Sequence, residues 1–322
     1  MTERPRTMRD AVIEQIIAAM EQDRGIFFLS ADLGAPSLDK LRARFPERFI
    51  NVGIAEQNLI NVATGLALEG YTVFAFAISA FLSMRCFEQI RINLAILSQL
   101  RKINVNLLGI GAGLSYDLAG PSHHCLEDVG TLRTLPNLTL LSPSDPALAA
   151  ALIPYVLGRP EPKYLRLDSK PLIDLGPAPG ASGLERGFRE LCRGGRICLV
   201  ATGFMTQKAL SLKNALLARG IEIGVVDLFR LNGFGIEALR ETLRGYSDLI
   251  TLEEGFLGCG GLEQIVSDFL RDTGGATLAR AFGISREYRF EVGDREHLHF
   301  LAGCGEPAIL DFIEALARQQ AK

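Results

Sequence analysis

Arg48-Phe49-Ile50-Asn51-Val52-Gly53-Ile54-Ala55-Glu56-Gln57 is the stretch on which the fold reading turns. Phe49, Ile50 and Val52 make a short apolar run suited to a buried strand, and Gly53 breaks it. From residue 55 to 68 the apolar side chains Leu59, Ile60, Val62, Ala63, Leu66 and Ala67 recur at helical spacing, and Gly70 stops them. A strand that passes through a glycine into a helix is the repeating unit of a parallel α/β sheet. Glu56 falls in the first turn of that helix. A carboxylate there favours the helix dipole or serves as a cap, and neither role needs a ligand.

The same alternation extends in both directions. Residues 11–20 read as a helix and 26–30 as a strand; 71–77, 103–110, 138–141 and 163–167 read as strands, with helices over 81–97 and 147–157. A second series follows: strands over 197–201, 221–226, 249–252 and 277–282, and helices over 206–217, 236–243 and 262–270. A last helix over 308–317 starts behind Pro307, where a proline suits a helix start. Between the two series, 169–187 is rich in proline and glycine and poor in apolar residues, as a linker is. The expected fold is α/β: two doubly wound domains, 1–168 and 188–322, joined by 169–187.

Composition bounds the function. The chain has 322 residues, enough for about two domains. Its 48% hydrophobic and 22% charged residues support sizeable cores and exclude wholesale disorder. A net charge of −3 without a long basic block argues against nucleic acid. No apolar run approaches the roughly 18 residues of a membrane helix. The N-terminal residues Met1-Thr2-Glu3-Arg4-Pro5-Arg6 lack the apolar core of a secretory signal. The six cysteines are scattered without a Cys-x-x-Cys pair and read as reduced thiols, so cytoplasm is the expected compartment.

Several short words, taken in order and spacing, carry a resemblance. Gly53-Ile54-Ala55-Glu56-Gln57 is the first. Gly120-Pro121-Ser122-His123-His124 follows, with Glu127-Asp128 and Leu132-Arg133-Thr134-Leu135-Pro136-Asn137 behind it. Ser30-Ala31-Asp32-Leu33, Ser142-Pro143-Ser144-Asp145 and Val200-Ala201-Thr202-Gly203 complete the set. Together they resemble the transketolase family of thiamine-diphosphate enzymes, which includes deoxyxylulose-phosphate synthase, from about Met8 to the C-terminus. The resemblance implies a pyrimidine-binding domain followed by a transketolase C-terminal domain. It stops at the metal. The family holds the cofactor diphosphate through Mg2+ bound by a Gly-Asp-Gly motif, and a magnesium site needs oxygen ligands beside the phosphates. No such motif occurs here; Gly293-Asp294-Arg295 is the nearest string. The expectation is half an enzyme, whose partner chain carries Gly-Asp-Gly and most of the Mg2+ site, in an αβ or α2β2 assembly.

The resemblance also assigns residues. Glu56 matches the glutamate that bonds the cofactor's pyrimidine N1′ and so promotes ionisation at C2, a task that burial of a carboxyl assists. Phe81 and Ile78 fall where the family places the apolar and aromatic slot for the pyrimidine, and Arg85, one turn on, is a further cofactor-site candidate. Asp32, after the first strand, falls near the thiazolium. His123 matches a substrate contact able to move protons near neutral pH; His124 is its weaker neighbour. Arg166 matches a position that binds sugar phosphate, which a guanidinium grips bidentately. Family members commonly carry aspartate where this chain has Ala119, so donor specificity is open. His123, His124 and Cys125 have no second cluster to complete a tetrahedral metal site, so no metal is expected on this chain alone.

The expected activity is transfer of a two-carbon ketol unit between sugars or sugar phosphates. Alternatives stand beside it: a decarboxylative condensation of the deoxyxylulose-phosphate-synthase kind, the β-type subunit of a 2-oxoacid dehydrogenase first component, and a non-catalytic scaffolding paralogue.

Overall fold

A computed structural model describes residues 5–320; Met1–Arg4, most of the stretch read above as lacking a secretory core, and residues 321–322 lie outside them. Six parallel strands form the first sheet. Their spatial order is Phe49–Asn51, Ile26–Ser30, Thr72–Ile78, Val105–Ile110, Lys163–Leu167, Thr139–Leu141. Apolar side chains leave both faces of this sheet. In Thr72–Ile78, Val73, Ala75 and Ala77 join the core that holds Leu59, Ile60 and Ala63 of helix Glu56–Leu68. Phe74 and Phe76 join the opposite core, with Val12, Ile13 and Ile16 of helix Met8–Gln22. A strand covered on both faces needs an unbroken apolar run, and residues 73–77 supply it. Each large side chain buried this way stabilises by about 1.5–3 kcal/mol.

The second sheet has five strands, in the order Thr277–Ile284, Asp248–Phe256, Ile197–Ala201, Ile223–Leu228, Phe188–Cys192. Four are parallel, and the edge strand Phe188–Cys192 is antiparallel. The apolar pattern does not announce that edge strand, because Arg189 and Glu190 interrupt it and only Phe188 is fully buried.

Other departures from the sequence pattern matter for the site. The helix expected over 81–97 is irregular: π segments Phe81–Arg85 and Ile90–Ile96 flank one α turn, Phe87–Gln89. Such π segments concentrate at functional sites, and apolar periodicity cannot tell them from α turns over so short a length. The stretch 169–187 is more than a bare linker. Pro171–Leu172 pairs antiparallel with Arg6–Thr7, and Ala181–Arg186 is helical.

The two series share a core. Leu29, Val73 and Val105 of the first sheet belong to the same buried cluster as Val200, Val226 and Leu249 of the second. Charged groups also cross between them: Arg189 pairs with Asp145 and with Asp227, and Ser144 Oγ donates to Asp227 Oδ2 at 2.5 Å.

Candidate functional site

All strands of the first sheet end at one edge. A parallel sheet opens a crevice at its carboxyl ends where the chain reverses its direction of travel across the sheet. Here the chain runs from Ile26–Ser30 outward to Phe49–Asn51, then crosses back to Thr72–Ile78 on the other side. Asp32 follows the first of these strands, Ile78 ends the third, and Phe81 opens the π segment behind it.

Glu56 enters through the turn at Gly53, which adopts φ +75° and donates its N–H to Asn51 Oδ1 at 3.0 Å. Glycine takes that left-handed turn at no steric cost. Glu56 is not the cap of its helix: Ala55 holds that position, and no side-chain capping bond forms. Its carboxyl group is 4% exposed, and Oε2 accepts from Arg85 Nη1 at 2.6 Å. Among the described residues no donor reaches the second oxygen. The half-exposed Arg85 guanidinium lies 4.6 Å from the Phe81 ring centroid. Phe81 in turn meets His123 edge to face, with centroids 5.2 Å apart. Gln57 Nε2 donates to the Arg85 carbonyl at 3.1 Å, which ties the helix to the π segment. Four of the predicted residues thus form one chain of contacts, from Glu56 through Arg85 and Phe81 to His123.

His123 stands on a loop closed at its base by a backbone bridge between Gly113 and Cys125. Ser122 Oγ lies 3.1 Å from its Nδ1, and the Tyr116 ring stands perpendicular at 6.3 Å. His124 turns inward: it is buried, with Nε2 3.5 Å from the Asp117 carbonyl, and burial lowers its pKa. Only His123 of the two neighbours contacts Phe81. Ile78 is half-buried and packs against the core. Asp32 is exposed and adopts φ +57°. Short polar side chains tolerate that region, and Asn51 secures it: Asp32 N–H donates to Asn51 Oδ1 at 3.1 Å, and Asn51 Nδ2 donates to Asp32 Oδ1 at 2.9 Å.

Arg166 departs from its expected place at a substrate phosphate. It is buried, its Nε donates to Asp128 Oδ2 at 2.8 Å, and its Nη2 donates to the carbonyls of Cys125 and Glu254 at 3.1 and 2.8 Å. Tyr164 Oη also donates to Asp128 Oδ2, at 2.8 Å. The guanidinium pairs with Asp128 inside the first half, and its bond to the Glu254 carbonyl reaches the second half. Nothing in the local pattern flags Asp117, Lys170, Glu254 or Arg295, which bracket the histidine loop. The one available signal is the acid pair Glu253-Glu254 at the end of the apolar run 249–252.

Three exposed apolar side chains lie close in sequence to these residues: Ile54 two before Glu56, Met84 next to Arg85, and Leu118 on the histidine loop. Exposed apolar side chains that gather into a patch mark contact surfaces. A depression of about 910 Å3 lies at the opposite edge of the sheet near Lys102, Thr139 and Arg230, and no predicted site residue lines it. Among the described residues, no group of three or more His, Cys, Asp or Glu could hold a metal ion, and no helix is long and apolar enough to cross a membrane.

A parallel α/β sheet whose carboxyl edge offers a buried carboxylate beside an aromatic ring and a histidine fits a cofactor-binding enzyme domain. Residues 4–172 match the family described as transketolase, pyrimidine binding domain, and residues 188–295 match transketolase, C-terminal domain. The chain belongs to the transketolase family, which uses thiamine diphosphate. It is 28% identical over 315 residues to an apulose-4-phosphate transketolase subunit of Actinobacillus succinogenes, covering 96% of this chain and 98% of that protein. It is 30% identical over 293 residues to the 6-deoxy-6-sulfo-D-fructose transketolase subunit SqwH of a Clostridium species, covering 90% and 88%. A solved structure described as a split gene transketolase, inactive beta4 tetramer, superposes with a TM-score of 0.84 at 29% identity, covering 96% of this chain and 97% of that one.

Proposed function

We propose that this chain is the pyrimidine-binding and C-terminal subunit of a split transketolase that moves a two-carbon ketol unit between sugars or sugar phosphates. The observation that carries the reading is the Glu56 carboxyl group. It is buried, bonded on one oxygen by Arg85, and linked through Arg85 to the Phe81 ring. That arrangement fits an aminopyrimidine, whose ring nitrogen would take the uncommitted oxygen while Phe81 offers a flat apolar wall. Bound thiamine diphosphate would supply a nucleophilic carbon at C2. Glu56 would share a proton with the ring nitrogen. Ile78 would close the slot beside Phe81, Arg85 would hold Glu56 in register, and Asp32 would place a negative charge at the same crevice. His123, edge-on to Phe81, would hold or move a proton at a donor hydroxyl or carbonyl.

The diphosphate and Mg2+ would be held mainly by a partner chain bearing Gly-Asp-Gly, seated on the face marked by Ile54, Met84 and Leu118. The names of the relatives, two of them subunits and one a split-gene product, support a two-chain enzyme. An αβ or α2β2 assembly in the cytoplasm fits, with residues 1–168 as the pyrimidine-binding domain, 169–187 as the connection and 188–322 as the C-terminal domain.

Calorimetry with thiamine diphosphate and Mg2+ tests this, first on the chain alone and then mixed with the partner chain. Binding in the mixture only is the expected result. Tight binding by the chain alone overturns the shared site, and no binding in either sample overturns the cofactor reading.

A further inference from the structure

The loop that carries His123 is held from the second half of the chain. Beyond the bridge at Gly113 and Cys125, the Leu114 N–H donates to Glu254 Oε2 at 3.1 Å. Gly113 is what admits that carboxylate: a Cβ built there would lie 2.0 Å from the same oxygen. Glu254 lies in the last strand turn of Asp248–Phe256, in the second sheet. Arg295 grips it bidentately, with Nε and Nη2 each at 2.6 Å, and His299 Nε2 is also at 2.6 Å.

Arg295 reaches back to the loop as well. Its backbone N–H donates to Asp117 Oδ2 at 3.2 Å, and its guanidinium pairs with Asp168 at 2.7 Å. Lys170 Nζ holds the other Asp117 oxygen at 2.8 Å. Behind the cluster, Lys208 Nζ lies 2.7 Å from His299 Nδ1 and 2.7 Å from Glu296. An ammonium only donates, so His299 Nδ1 accepts and Nε2 carries the proton directed at Glu254. Burial pushes the Glu254 carboxyl upward in pKa, but Arg295 and His299 outweigh it and hold the group well below the usual carboxylate range. An ionised, charge-assisted acceptor is a stiff hold on a loop.

We infer that Glu254, oriented by Arg295 and His299, is a positioning residue that sets where His123 stands at the donor substrate. The C-terminal half thereby governs the substrate step, while the cofactor contact remains with Glu56. The inference rests on reading His123 as a substrate contact. It acts through the loop, because Leu114 and Asp117 are the points held and His123 itself contacts neither Glu254 nor Arg295. Misplacement of a substrate-positioning group by about 1 Å costs on the order of 10²-fold in rate.

The test uses the assembled complex with its partner chain and compares wild type with Glu254→Gln and Asp117→Asn. The second variant is isosteric, weakens the hold on the loop at Asp117 and leaves the Glu254–Arg295 pair untouched, so it reports even where the first folds poorly. Amide hydrogen exchange over 113–124, thiamine-diphosphate affinity by calorimetry, and saturation kinetics with hydroxypyruvate as a minimal ketol donor are the readouts. Faster exchange confined to the loop is expected, with cofactor affinity within about twofold and kcat/KM for hydroxypyruvate reduced about 10- to 100-fold. Arg295→Lys, which keeps the charge but not the bidentate grip, should lose less than Arg295→Met. Unchanged loop exchange, or a loosened loop with wild-type kinetics, overturns the inference alone. So does a loss of cofactor binding in parallel with turnover, which would mark the cluster as purely structural. A wild-type complex that neither binds thiamine diphosphate nor consumes hydroxypyruvate overturns the functional reading, and the inference falls with it.

Discussion

Glu56 and Glu254 are both buried carboxylates, 4% and 3% exposed, in opposite surroundings. Glu254 takes two bonds from Arg295, one from His299 and one from a backbone N–H, all within the chain. Glu56 takes one bond, from an arginine that is itself half in solvent. Removing a carboxylate from water is costly unless several donors replace the lost hydration. Glu254 has those donors, which makes it an element of stability and loop geometry. Glu56 has one such donor, and its second oxygen is left for a ligand; in the proposed reading a protonated pyrimidine nitrogen would bond it. Under the proposed reading, the count of committed donors, not burial, separates the two acids.

The contrast can be broken by mutation. Glu56→Ala should reduce turnover of the assembled enzyme by about 10³-fold or more, at the upper end of proton-transfer effects. Its melting temperature should stay within about 2–4 °C of wild type, since only one half-exposed partner is lost. A large loss of stability with retained turnover would reverse the assignments of the two acids. Next in size, Arg166→Met should destabilise by about 3–5 kcal/mol, because it leaves Asp128 buried without its cation. Denaturant melts measure this, and an unchanged KM for phosphorylated donors in the surviving enzyme would confirm that Arg166 serves the interior.

Acid sharpens the Glu254 side. Its native pKa lies below the unfolded value of about 4.3, so its contribution is complete above that pH and is lost as pH falls through the native value. The melting-temperature gap between wild type and Glu254→Gln should be flat from about pH 5 to 7 and narrow below about pH 4. A gap that widens in acid would mean that the carboxyl is not held ionised.

Within the histidine pair, His123→Ala should lower kcat/KM by about 10²-fold with cofactor affinity retained. The same change at His124 should act mainly on stability, by about 1–3 kcal/mol. The smallest effect is expected for Arg85→Met. It removes the cation from the Phe81 face and the bond that orients Glu56, which should weaken thiamine-diphosphate binding about three- to tenfold by calorimetry.

Much of the first sheet was legible because its strands are buried on both faces and read as plain apolar runs. Ile26–Ser30 and Lys163–Leu167 coincide with their predicted bounds, and others shift by one or two residues. Phe188–Cys192 was not legible, since an edge strand carries charges on the side it leaves open. In the candidate site, the grouping of Glu56, Phe81, Arg85 and His123 was legible because they sit in local words, and the structure brings these four into contact. Asp117, Glu254 and Arg295 were not: Glu254 bonds an amide 140 residues away and a guanidinium 41 residues away, and no periodicity records such pairs. Arg166 misled because one residue type serves both phosphate grips and interior ion pairs. Its sequence neighbours Tyr164, Leu165 and Leu167 are buried, which is the clue that favoured the interior.

The core shared by the two sheets has a consequence for how such a chain tolerates being cut. The residues around Ile173 and 176–180 are partly exposed, and Leu29, Val73, Val200 and Leu249 lie in one buried cluster on either side of them. A protease acting there would sever the polypeptide without separating the two pieces, because the buried contact, not the peptide bond, holds them together. The nicked protein should migrate as one particle in gel filtration and as two bands in denaturing gels. By the same physics, an enzyme whose parts meet across extensive buried surfaces can be encoded as separate chains and still assemble one site.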